Sequence, residues 1–133
     1  MTIKHNELVF IYNSKNMKER EALVYAKAIE YYRVREIDVS KVEITPTQIE
    51  FAQKHTGQGL KSFVRYPLNE DLNEKVSSMN ERDLLTWLSG HPDYLRTPIA
   101  LWKESGKILK DKYSLVSEGL ELNQKRVKYH ENA

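Results

Sequence analysis

His91 to Lys110 reads HPDYLRTPIALWKESGKILK. The spacing predicts a loop ending in Thr97-Pro98, a short apolar strand from Ile99 to Trp102, a tight turn at Glu104-Ser105-Gly106 and a returning strand from Lys107 to Lys110. Two strands at this separation, with glycine in the turn, make a β-hairpin. Proline has no amide hydrogen for a sheet ladder, so Pro98 is expected at the first position of its strand or beside an edge. An ordinary strand-initial proline meets that requirement and so does a fixed cis bend; the residues by themselves leave both open.

Working back from the hairpin, Asn80 caps a helix through Leu84, Leu85 and Leu88 that Gly90 and Pro92 close. Pro67 to about Met79 reads as a polar loop, and Leu60 to Tyr66 as a short helix. Thr45-Pro46-Thr47-Gln48 starts another helix: threonine caps, proline fits the first helical position and glutamine completes the box. That helix is expected to run to about His55 and stop at Gly57. Gly57-Gln58-Gly59 lacks the third glycine and the Lys-Ser/Thr pair of the phosphate-binding fingerprints.

At the other end, Glu7 to Tyr12 (ELVFIY) is an apolar run suited to a buried strand, followed by the polar loop Asn13-Ser14-Lys15-Asn16. From Met17 to about Tyr32 the spacing becomes helical, with Ala22, Leu23, Ala26 and Ile29 on one face and Lys18, Glu21 and Lys27 away from it. Asn16, with Glu19 three residues on, forms an expected capping pair. Val34 to Val39 alternates apolar and charged as a second strand, and strand, helix, strand over this length is a parallel βαβ unit. After the hairpin, Tyr113 to about Tyr129 reads as a terminal helix that Gly119 weakens. The tally predicts an α/β, thioredoxin-like fold. Its mixed four-stranded sheet combines the parallel βαβ with the C-terminal hairpin, and a helical insertion occupies about residues 45–90 of a single domain, 1–133.

The bulk properties narrow the function. The chain has 133 residues, of which 40% are hydrophobic and 30% charged, yet its net charge is only +2 and no basic stripe stands out. Direct nucleic-acid binding is therefore not expected. The run Lys125-Arg126-Val127-Lys128 suits a solvated helix end. There is no cysteine, which excludes a disulfide framework, thiolate catalysis and cysteine-ligated metal. No signal-like or membrane-spanning run and no Asn-x-Ser/Thr sequon occurs, so a cytoplasmic protein without membrane attachment is expected. His5, His55, His91 and His130 lack ligand spacing, and neither a metal nor another cofactor is anticipated. Tyr12, Trp87 and Trp102 fall on predicted core elements as packing groups.

Taken together, FIYNSKNMKEREAL near the N-terminus, GLKSFVR in the middle and LLTWLSGHPDYLRTPIALWKESGKIL resemble the arsenate reductase family and its Spx-type relatives, nearly end to end and in order. The resemblance implies a cysteine in the loop after the first strand, at the N-terminus of the first helix, where amides and the helix dipole stabilise a thiolate and an oxyanion. Matching Arg20 to the arginine that follows that cysteine puts Asn16 in its place. It also implies three arginines around the oxyanion. The first corresponds to Arg65, the second to Thr97 with Arg96 displaced by one position, and the third to Lys110. Arginine's planar fork can hold two oxyanion oxygens, whereas lysine supplies charge alone. Pro98 falls where the family has a cis-proline.

Each candidate also has a plain reading: Asn16 as an N-cap, Arg65 as an ion-paired arginine, and Lys15, Arg96 and Lys110 as solvated charges. The resemblance thus leads to a non-catalytic, thioredoxin-fold binding or regulatory protein. By analogy with Spx, one partner it implies is the C-terminal domain of the RNA polymerase α subunit. An alternative keeps anion binding at Asn16, Arg65, Arg96 and Lys110, for phosphate, sulfate or the carboxylate of glutathione. Arsenate reduction itself has no sulfur nucleophile to use.

Overall fold

The computed structural model describes residues 1–117, so the predicted terminal helix beyond Ser117 and the basic run 125–128 lie outside the described residues. The strand Glu7–Tyr12 (β1) organises the rest because successive side chains leave opposite faces of a sheet. Leu8, Phe10 and Tyr12 join one core cluster with Ala22, Ala26, Ala100 and Trp102. Val9 and Ile11 join a second with Ile49, Ala52, Phe63, Leu84 and Leu88. Each fully buried leucine, isoleucine or phenylalanine contributes about 1.5–3 kcal/mol, so a strand apolar on both faces must be covered by helices on both.

The first cluster is covered by α1 (Met17–Lys27), the second by α2 (Pro46–Thr56) and α4 (Glu81–Gly90). The sheet order is β2-β1-β3-β4, with β2 at Arg33–Asp38, β3 at Ile99–Leu101 and β4 at Gly106–Ile108. β1 pairs parallel to β2, from Glu7 opposite Arg33 to Tyr12 opposite Asp38. β3 pairs antiparallel to both β1 and β4. This is the expected mixed sheet. At α2, the capping box of Thr45 and Gln48 closes in both directions, and Gly57 ends the helix with φ 71°, which glycine adopts without strain.

Several segments depart from the sequence expectation. α1 stops at Lys27 rather than near Tyr32, and the chain continues through short i to i+3 turns at Ala26–Ile29 and Ile29–Tyr32. Ile29 and Tyr32 still reach the core, while the turns bring Arg33 into line with β1, its amide donating to Asn6 O at 2.8 Å. The predicted loop at 67–79 contains a helix, α3 (Glu70–Ser78). Asn69 caps it by accepting from the Leu72 amide at 2.8 Å, Glu70 and Asp71 favour the positive end of its dipole, and Val76 anchors it. Leu60 to Tyr66 resolves into a 3₁₀ turn at Leu60–Phe63 and an extended piece that bridges Val64 to Leu95.

In the hairpin, Trp102 and Ser105 exchange amide–carbonyl bonds of 2.9 and 3.3 Å, so the strand ends one residue earlier than predicted. Gly106 is required by proximity: a Cβ there would lie 2.6 Å from Leu101 Cδ2 and 3.1 Å from both the Ala100 carbonyl oxygen and Thr56 Cγ2. Both Thr97-Pro98 and Tyr66-Pro67 are cis; the resemblance implied the first, and nothing in the sequence reading pointed to the second.

The loop after β1 is tied down from β2. Asp38 Oδ1 accepts from the Ser14 amide at 3.1 Å, the Ser40 amide at 3.0 Å and the Ser40 hydroxyl at 2.8 Å. Burial by itself raises the Asp38 carboxyl, but hydrogen bonds from the Ser14 and Ser40 side chains and backbone more than offset it and bring it down to about 2.

Two outcomes follow from this packing. Gly106→Ala is expected to lower stability by about 1–3 kcal/mol, read from the urea midpoint, because the backbone and α2 must give way. Asp38 has a folded value below its ordinary 3.8, so its contribution is complete above the unfolded value and is lost as pH falls from 3.8 through about 2. Asp38→Asn is therefore expected to flatten the fall in urea midpoint over that interval relative to the wild type.

Candidate functional site

The site lies where β1 runs into α1. Asn16 occupies the N-cap with extended backbone, and its Oδ1 accepts from the amides of Lys18 at 2.9 Å and Glu19 at 3.3 Å. Buried Asn13 accepts twice: from the Lys15 amide through Oδ1 at 3.0 Å and from the Asn16 amide through its carbonyl at 3.1 Å. The Ser14 amide is held by Asp38, and the Asn13 amide donates to Glu19 Oε1 at 3.0 Å. Of the amides at this helix start, those of Asn13, Ser14, Lys15, Asn16, Lys18 and Glu19 thus already have acceptors within the chain.

Glu19 does not close the predicted capping box. Its carboxylate turns away from Asn16, taking the Asn13 amide on Oε1 and the Arg65 guanidinium on Oε2 at 3.0 Å. The side chain is only 4% exposed. A carboxylate so buried is stable in ionised form only with a partner, and Arg65 supplies it. The same Arg65 Nη2 donates to Thr97 at two atoms, Oγ1 at 2.9 Å and the carbonyl at 3.2 Å. Arg65 is delivered there by the bridge between Val64 and Leu95, where the Arg65 amide donates to Tyr94 O and the Arg96 amide to Phe63 O, each at 2.8 Å. One guanidinium therefore links α1 to the loop before Pro98.

A cleft of about 470 Å³ opens over this arrangement, lined by Asn16, Glu19, Arg65, Pro98 and Lys110 among others. A neighbouring cleft of about 340 Å³ shares Arg65, Thr97, Leu109 and Lys110 and adds Arg96. Asn16, Arg65 and Lys110 thus line the same cleft, and Arg96 belongs to the second cleft only. Lys15 and Lys110 are exposed. The sequence reading missed Glu19 and Thr97 as the acceptors for Arg65. Glu19 sits at capping-box spacing, and its true partner lies 46 residues away, beyond any local signal.

His91 Nδ1 lies 2.8 Å from the Trp87 carbonyl with its ring stacked on Trp87, and His55 stacks on Phe51 beside the Trp102 carbonyl. Among the described residues, no cluster of three histidine or acidic side chains is placed to hold a metal ion, and no helix is long and apolar enough to cross a membrane. Tyr12 and both tryptophans are buried; the Tyr12 hydroxyl donates to Glu36 at 3.1 Å, and burial together with that carboxylate pushes it up to about 12.

Removing the cation tests the pair directly. Arg65→Met is expected to lower stability by about 2–3 kcal/mol, because the Glu19 carboxylate is left buried with a single amide donor. Adding Glu19→Gln should return part of that loss in a double-mutant cycle measured by chemical denaturation.

No protein-family model matches the chain. No curated protein matches it in sequence. Solved structures do. An arsenate reductase from Vibrio cholerae superposes with a TM-score of 0.72 at 16% identity, covering 86% of this chain and 98% of that one. A protein from Yersinia pestis named for the same activity gives 0.71 at 14% identity, covering 83% and 98%. An ArsC-family-related protein from Bacteroides fragilis gives 0.67 at 13% identity, covering 88% and 99%. At these identities the likeness is one of architecture: the chain has the thioredoxin-like fold of the arsenate reductases.

Proposed function

We propose that this chain is a cysteine-less, divergent relative of the arsenate reductases and Spx-type proteins that works by binding a partner and performs no redox turnover. The Glu19–Arg65 pair carries the reading. Where an oxyanion would need a cation and free amides, the chain places its own carboxylate against both, at 3.0 Å each. Asn16 can cap a helix but cannot form a mixed disulfide or attack an arsenic centre, and no other residue supplies sulfur at a thiol, because the sequence has no cysteine. Thr97, in the position before Pro98, accepts from Arg65 and contributes no further cation.

A protein partner in the cytoplasm fits a scaffold that keeps its fold and lacks its nucleophile. The Spx resemblance makes the C-terminal domain of the RNA polymerase α subunit one candidate, to be tested by titration of the purified domain. A second reading, retention of a small anion such as phosphate, sulfate or the carboxylate of glutathione, is favoured by one observation: Lys110 stands exposed between the two clefts.

Two measurements separate these readings from catalysis. With arsenate and either glutaredoxin plus glutathione or thioredoxin as donor, the wild-type chain is expected to add nothing to the donor-only rate; steady turnover would refute the proposal. Calorimetry with phosphate, sulfate and glutathione is expected to give no binding heat at about millimolar ligand, since a weaker interaction is worth less than about 4 kcal/mol. A saturable heat would instead favour the second reading.

A further inference from the structure

We infer that the outer face of α1, together with the adjoining cleft, is a docking surface for an acidic, amphipathic segment of another protein. This deepens the proposed binding role and rests on it. α1 carries apolar residues on two faces. Ala22 and Ala26 are buried against the sheet, whereas Met17, Val24 and Tyr25 are 63%, 66% and 40% exposed. Met17, Glu21 and Val24 follow one another at i, i+4 and i+7, so they form one stripe along the helix. Tyr113, 56% exposed, meets Tyr25 edge to face with ring centroids 5.4 Å apart. Lys112 lies 5.4 Å from the centroid of each ring and 3.7 Å from Glu21. An exposed apolar cluster rimmed by charge is the usual form of an interaction site.

The rim selects the partner. The cleft that begins at Lys18, Glu21, Lys112 and Tyr113 has the apolar groups Ala22, Pro98 and Leu109 on its walls. Of its ionic groups, Glu19 is taken by Arg65 and Glu21 by Lys112, which leaves Lys18 and Lys110 against Asp111. Arg96 adds a further cation in the neighbouring cleft. A second copy docking through the same patch would set one net cationic rim against another, at a cost from like charges. The chain's own residues 118–133 set Glu118, Glu121 and Glu131 against Lys125, Arg126 and Lys128, so their side chains bring no net charge to the rim. A foreign segment with leucines or aromatics on one face and carboxylates beside them satisfies both the apolar stripe and the cations.

The test uses the full chain and two synthetic helical peptides of about 18 residues, leucine on one face in both, with glutamates on the other face in one and lysines in the second. In fluorescence anisotropy the acidic peptide is expected to bind saturably and the basic one not. Affinity for the acidic peptide should fall about tenfold or more in Val24→Glu, and separately in Lys110→Glu, and should weaken at high salt. Both substitutions are at exposed positions, and circular dichroism checks that the variants stay folded. Absence of saturable binding by the folded wild type, or binding unaffected by Val24→Glu, overturns the inference. So does a dimer in gel filtration that Val24→Glu dissolves, which makes a second copy the occupant. Cross-links from Lys125 or Lys128 to Lys18 or Lys112 within one chain would assign the surface to residues 118–133 and overturn it equally. None of these outcomes alters the turnover assay, so failure here is distinguishable from failure of the non-catalytic reading.

Discussion

β1 has no solvent face, and the layout of the molecule follows from that constraint. Leu8 and Phe10 on one side and Val9 and Ile11 on the other are completely buried, so helices must lie over both faces. The strand's C-terminal end then has one place to deliver the chain, the loop between the two layers. That loop is pinned by Asp38 from the neighbouring strand and opens directly into α1. A cleft at this point is a consequence of the topology, whatever residues fill it.

The residues that fill it here have turned the site inward. A helix N-terminus next to an arginine is the arrangement that ordinarily attracts an anion from solution. In this chain Asn16 takes two of the helix amides, Asn13 takes those of Lys15 and Asn16, and Glu19 brings a carboxylate to Arg65. The arrangement is stabilising as a whole, since each of these polar groups satisfies another. Its polar contacts also fasten α1 to the loop before Pro98 through one side chain, Arg65, so the site has become a structural joint.

The outer face of α1 gives the scaffold a different outlet. A helix that needed only to cover the sheet would carry polar residues at positions 17 and 24, where Met17 and Val24 stand 63% and 66% exposed. Lys112 and Tyr113 extend that face across to the cleft, so the exposed apolar groups and the cations Lys18 and Lys110 form one surface.

The sequence by itself determined the elements whose causes are local or periodic. The apolar run ELVFIY, the cap and box at Thr45 and Gln48, the stop at Gly57 and the glycine turn of the 99–108 hairpin were all legible, and with them the four-stranded mixed sheet. It misread 67–79, where Asn69 and the acidic first turn favour a helix whose apolar face is only Leu72 and Val76, too sparse to register as periodic. It extended α1 past Lys27 because Ile29 and Tyr32 continue the apolar spacing in turns that are no longer α-helical. What only the tertiary structure decided was the state of the site. Asn16, Arg65 and Lys110 could be named from sequence, but whether Arg65 faces a ligand or a carboxylate depends on Glu19, 46 residues away, being folded to within 3.0 Å of it. A capping glutamate and a counter-ion look identical along the chain, and burial in three dimensions is what forces Glu19 to choose the guanidinium.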